Sequence, residues 1–248
     1  MGDATNTGAL TLAGSATLAA DTTLTIASAV NVSGVLDGAY SLVKQGASEL
    51  TLSGVNTFGG TTAVNAGTLT LSGGSALTDT MALTVNAAGT LKLAGSESIA
   101  SLAGAGAVNL QSNALTLLGG TATTYSGVMS GAGSLVKTGT SVFTVTGANT
   151  FSGGVNLSAG AIEAGNNAAF GTGLVSFSGG RISSDSSTTR TLANAFAMSG
   201  ALTLGDVVNN GVMNLGGNVS LLGDVNLTVA SAGTMTGVVS GTYNFVKE

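Results

Sequence analysis

Apolar and small polar residues alternate along most of the chain. Leu10-Thr11-Leu12, Leu24-Thr25-Ile26, Leu50-Thr51-Leu52, Leu69-Thr70-Leu71, Leu91-Lys92-Leu93, Phe143-Thr144-Val145 and Leu202-Thr203-Leu204 all carry apolar side chains at i and i+2. That period fits a strand with one buried face. The runs are about 4–6 residues long and end at Gly, Asn or Ser, which punctuate strands. No period of about 3.6 survives more than two turns, so helices are not expected. The runs also recur at near-constant spacing. Leu50–Gly54 is followed by Leu69–Gly73 and then by Leu91–Gly95, and Leu204-Gly-Asp206 by Leu222-Gly-Asp224. Short strands at this spacing predict a solenoid whose coils cannot bury their inward Leu and Val alone, and so stack at ~4.8 Å into one apolar column. The expected fold is all-β, a parallel β-helix with about 18–22 residues per coil, running as a single unit over positions 1–248.

A longer repeat overlies the coils. Ser33–Gly67 aligns without a gap to Ser126–Gly160, with 19 of 35 positions identical, and a third copy opens near Gly237 as GVVSGTYNFVKE and stops at Glu248. Stopping so early in a unit points to a fragment of a longer repetitive protein. The N-terminal MGDATNTG has neither a basic nor an apolar segment, so it does not read as a signal peptide.

Composition narrows the chemistry. There is no His and no Cys, which excludes His/Cys zinc sites, Ser-His-Asp and Cys-His catalysis, and disulfides. The net charge of −5 comes without a basic cluster, which argues against nucleic acid as a partner. Charged residues are 7% and aromatics 4%, too few for the charged lumen and aromatic girdles of a transmembrane barrel. An antiparallel sandwich would not require the period.

Two stretches carry a family resemblance. Leu42-Val43-Lys44, Gly46, Leu50–Gly54, Asn56-Thr57-Phe58, Gly60 and Asn65–Leu69 form one, and Leu135-Val136-Lys137, Gly139, Phe143–Gly147, Asn149-Thr150-Phe151, Gly153 and Ala159-Gly160 the other. The pattern resembles the passenger-associated transport repeat of bacterial autotransporters. The second copy departs at its end, where Ala161-Ile162-Glu163-Ala164 replaces Thr-Leu-Thr-Leu. The resemblance implies a right-handed β-helix on the surface of a Gram-negative bacterium, exported through an outer-membrane barrel elsewhere in the parent protein. It makes Lys44, Gly54, Asn56, Phe58, Gly60, Lys137, Gly147, Asn149, Phe151 and Gly153 the structural motif.

The residues themselves suggest roles. Lys44, Lys137 and Lys247 read as solvated, outward lysines that discourage edge pairing. Asn56–Gly60 and Asn149–Gly153 read as turns in which Asn and Gly adopt positive φ and Phe plugs a corner. Asp206 and Asp224 read as one register, a coil apart. Arg181–Arg190 (RISSDSSTTR) is the most polar stretch, a projecting loop whose Arg181, Asp185 and Arg190 are the candidate interaction residues. Ranks of Thr are broken at once, because outward pairs read Glu49/Thr51, Thr68/Thr70 and Thr90/Lys92; this argues against ice binding.

The expected function is structural: a stalk segment of a secreted or surface-displayed passenger, with no catalytic site, cofactor or metal. The alternative is an adhesin or self-associating fibre, with a host or cell-surface ligand or end-to-end pairing of open coils as its partner. An enzyme would need clustered Asp, Lys or Arg in a groove, and the 17 charges are scattered singly.

Overall fold

The computed structural model describes residues 8–248. The first seven positions, read above as lacking a leader's pattern, lie outside the described residues. Among the described residues every element is a strand and every pairing is parallel, each strand bonding to its counterpart about one coil away. The coils have three faces. The first face starts with Leu10–Leu12, Val30–Val32 and Glu49–Leu52. The second starts with Ala16–Thr17 and Leu36–Asp37 and continues through Glu97–Ile99, Ala114–Leu117 and Ser134–Lys137. The third runs from Thr22–Thr25 and Leu42–Gln45 to Phe245–Lys247. It holds twelve successive strands, so the solenoid has about 12 turns and is about 55–60 Å long at ~4.8 Å per coil.

Coil length varies more than the sequence period suggests. Leu91 pairs with Val108 across a short coil, whereas Leu204 pairs with Val229 across a long one. The long coil carries an insertion at residues 205–211. Some sequence runs fuse into one strand that bends round a corner, as in Thr62–Leu71 and Ala82–Leu93. A register shift between Val64 and Ala66 marks the bend, and Gly67 there has φ 65°, a conformation that glycine adopts without a side-chain clash.

Alternation sets the core. Leu50, Leu52, Leu69, Leu71, Leu91 and Leu93 are all buried and stack in register along the first face. Phe58 and Phe151 are fully buried, as corner plugs should be, each worth about 1.5–3 kcal/mol of apolar transfer. The outward ranks follow the expected breaks: Glu49, Thr68, Thr90 and Ala107 lie in one row, Thr51, Thr70, Lys92 and Asn109 in the next.

Tyr125 is buried beneath the second repeat, and its hydroxyl donates to the Gly106 carbonyl at 2.6 Å. Burial pushes its pKa well above the usual 10.0. The folded protein therefore holds this proton where the unfolded chain releases it, and stability falls as pH rises from about 10 upward. Lys44 and Lys137 have lowered pKa values, so they add stability with rising pH only up to about 10.5, where the unfolded chain also deprotonates. We expect the urea midpoint to drop above pH ~10, and the drop to be smaller in Tyr125→Phe.

Candidate functional site

The repeat motif lies inside the solenoid. Strand alternation puts Lys44 on the same side as Leu42, and both are fully buried. Its Nζ donates to the carbonyls of Gly46 at 2.7 Å and Ala66 at 2.8 Å, with a longer contact to Gln45 at 3.3 Å. Lys137 is likewise buried, and its Nζ donates to the Gly139 carbonyl. The outward placement expected for these lysines is therefore wrong. Corner carbonyls substitute for water around the ammonium, which makes its burial tolerable, and desolvation lowers both pKa values. Lys247 also stands in register with an inward residue, Leu227, on the exposed last coil.

Asn56 and Asn149 are buried and do not have positive φ; their carboxamides are what matters. The Leu36 amide donates to Asn56 Oδ1 at 2.8 Å, and Asn56 Nδ2 donates to the Ala76 carbonyl at 2.8 Å. At the second copy Met129 N donates to Asn149 Oδ1 and Asn149 Nδ2 to the Ala169 carbonyl, both at 2.7 Å. Each Asn thus ties three coils together. Two positions that the sequence did not single out do related work. Glu97 is buried and accepts from Ala76 N and Leu77 N at 3.2 and 3.0 Å. Desolvation, partly offset by those amides, raises its pKa. Asn194 Nδ2 donates to the carbonyl of Gly173 at 2.8 Å.

The motif glycines are also chosen by space and not by φ, since Gly54, Gly60, Gly147 and Gly153 all lie outside the positive-φ set. A Cβ on Gly54 would sit 2.2 Å from the Gly34 carbonyl oxygen, and one on Gly147 1.8 Å from that of Gly127.

The two copies are not seated alike. In the first, Lys44 is on the third face, Leu50–Leu52 on the first and Asn56 at the start of the second. In the second, Lys137 is on the second face, Phe143–Val145 on the third and Asn149 at the start of the first. The motif has turned by one third of a coil, because the copies are offset by four coils and two thirds and not by a whole number. On either seat the Asn makes the same pair of bonds and the Lys reaches the carbonyl two residues on, so the motif keeps these contacts on both seats.

The charged stretch is only partly a loop. Gly180–Ser184 and Arg190–Leu192 are strands, and residues 185–189 turn between them. The structure pairs all three candidate residues. Arg190 Nη2 lies 2.8 Å from Asp185 Oδ1. Arg181 Nη2 lies 3.1 Å from Glu163 Oε1, and Arg181 Nη1 pairs with Asp206. Asp206 also accepts from Val208 N at 2.7 Å and Asn209 N at 3.1 Å, which folds residues 205–211 over the pair. Asp206 and Asp224 do not share a register. Asp206 follows a third-face strand, and Asp224 precedes the next one, since Gly200 pairs with Val225. The long coil broke the count.

Residues 42–71 and 135–164 match the model of the passenger-associated-transport-repeat. No curated protein matches the chain.

Proposed function

We propose that this chain, which carries two passenger-associated-transport-repeats, is a structural stalk segment of an autotransporter passenger, displayed at or released from a Gram-negative cell surface. The repeats and the β-solenoid fold fit such a passenger. The observation that carries the stalk reading is where the motif spends its chemistry. Lys44, Asn56, Lys137 and Asn149 make their hydrogen bonds to backbone groups of their own and adjacent coils. A residue so used builds a rod and is not offered to a ligand. The rod stacks coil on coil, each needing only its neighbour, which suits a chain that folds as it leaves a pore. In this reading the segment has no catalytic role.

The adhesin reading rests on Arg181, Asp185 and Arg190. Each is engaged in an ion pair within the chain, which favours a local clasp over a ligand site. The double variant Arg181→Ser/Arg190→Ser separates the two. A stalk keeps its far-UV circular dichroism and leaves the attachment of displaying cells to host surfaces unchanged. If attachment falls at least tenfold while the fold is kept, the patch is a binding site and the stalk reading is overturned.

A further inference from the structure

The first face is interrupted in mid-rod. Past Met129–Ser130 it has no strand until Arg190–Leu192, which opens a separate three-stranded sheet with Met213–Leu215 and Gly233–Met235. In the coil before that sheet, residues 166–171 fold as a turn, with Ala169 N donating to the Asn166 carbonyl and Gly171 N to that of Ala168, both at 3.1 Å. A turn cannot present the evenly spaced amides and carbonyls of a parallel ladder, so side chains join it to the next coil. Thr191 N donates to Asn167 Oδ1 at 3.0 Å, and Asn194 Nδ2 reaches back to the Gly171 and Gly173 carbonyls at 3.2 and 2.8 Å. Between the turn and the strand lies a cavity of about 290 Å³, bordered by Asn167, Ala168, Gly171, Thr172, Ala193 and Asn194.

Polar groups at this cavity are left unused. Asn56 and Asn149 engage both halves of the carboxamide. Asn194, only 5% exposed, engages Nδ2 alone, and its Oδ1 accepts nothing among the described residues. The Oδ1 of Asn167 is taken, which leaves its Nδ2 to donate. The exposed Thr172 hydroxyl, which can donate and accept, has no partner among the described residues. An acceptor held as deep as Asn194 Oδ1, with room beside it, calls for a donor from outside the chain.

We propose that this cavity binds a single neutral sugar unit of a glycan. Three observations select that class. No charged side chain borders the cavity, so a charged ligand would lose its hydration without a counter-ion. Its volume lies just below the roughly 300 Å³ at which small-molecule pockets begin, which is room for one ring and not for a chain. Its free groups are one acceptor, one donor and one hydroxyl that is both. Neighbouring hydroxyls on a sugar ring supply the matching mixture, and Ala168 and Ala193 give the C–H face of the ring an apolar wall. A peptide would need a groove along which successive amides pair, and this cavity spans one step between adjacent coils. The site adds to the stalk role and does not draw on it, since no residue of the repeat motif borders the cavity.

Saturation-transfer difference NMR on the whole chain tests this, with the methyl glycosides of glucose, galactose, mannose and N-acetylglucosamine as probes. At least one is expected to give a signal that saturates in the millimolar range, as suits one ring held without aromatic stacking. Ala193→Phe fills the cavity from an exposed position and is expected to bring that signal to baseline with the far-UV circular dichroism unchanged. Thr172→Val removes one hydroxyl and is expected to weaken it. No saturable signal from any of the four sugars overturns the proposal. So does a signal undiminished in a folded Ala193→Phe or, if that variant unfolds, one undiminished in Thr172→Val. The responding sugar then separates the two sources of such a glycan. It should inhibit binding of the chain to lipopolysaccharide of the expressing bacterium if the glycan is the cell's own, and to host-cell glycoprotein if it is the host's. Inhibition of neither overturns the glycan assignment.

Discussion

Asn56→Leu combined with Asn149→Leu is expected to cost about 4–12 kcal/mol, of the order of a whole domain's stability. Each substitution keeps the branching of the side chain and loses both hydrogen bonds. At Asn56 the Leu36 amide and the Ala76 carbonyl are left without partners in a dry corner, and at Asn149 the Met129 amide and the Ala169 carbonyl. An unpaired buried group costs about 1–3 kcal/mol, so the two at each site cost about 2–6. The sites are more than four coils apart, and such distant losses add. Urea unfolding followed by circular dichroism measures this. The matched control is Thr57→Leu with Thr150→Leu, the exposed neighbours in the same turns, which should shift stability by less than about 1 kcal/mol. Equal losses in the two double variants would mean that the asparagine bonds carry nothing.

Gly147→Val is the second large effect. The new Cβ would lie 1.8 Å from the Gly127 carbonyl oxygen, and Gly127 is itself packed as tightly on Gly106. Backbone against backbone cannot yield as a flexible side chain can. The expected result is a loss of more than about 4 kcal/mol, read as insoluble protein or a collapsed urea midpoint. Gly59→Ala gives the contrast from within the same motif. Its Cβ would meet nothing nearer than the Gly38 carbonyl oxygen at 4.0 Å, so it should be neutral or stabilise by about 0.4–1 kcal/mol through the unfolded chain. A motif in which both glycines respond alike would contradict the argument from space.

The contrast shows which parts of the molecule were legible in the sequence. The strands follow from a period of two, the coil period from the recurrence of the runs, and the burial of Phe58 and Phe151 from their place as corner plugs, all of which the sequence displays directly. The direction of Lys44 was equally available, since Leu42-Val43-Lys44 alternates and puts the lysine on the leucine's side. The general rule that charge stays in water pointed the other way, and it fails here because corner carbonyls supply acceptors that no one-dimensional pattern reveals. The turn by a third of a coil could have been read from the offset between Lys44 and Lys137, which is not a whole number of coil periods. The pairing of Arg181 with Glu163 and Asp206 could not. It depends on one long coil whose insertion at 205–211 folds back across its neighbours, and the same insertion separated Asp206 from Asp224. Asn56 and Asn149 were found for the wrong reason, as turn formers, because a carboxamide that bridges two coils has the same sequence signature as one that tolerates positive φ.

The central claim is that the repeat's buried bonds build the rod that is exported and displayed. Its most direct test places this segment between an N-terminal epitope with a secretory leader and a C-terminal outer-membrane barrel, and measures epitope exposed on intact cells together with its resistance to added protease. The wild-type segment should be displayed and resistant, the Thr57→Leu/Thr150→Leu control likewise, and the Asn56→Leu/Asn149→Leu segment should lose at least most of its resistance and its displayed epitope. Display and protease resistance at wild-type level in the asparagine double variant would contradict the account.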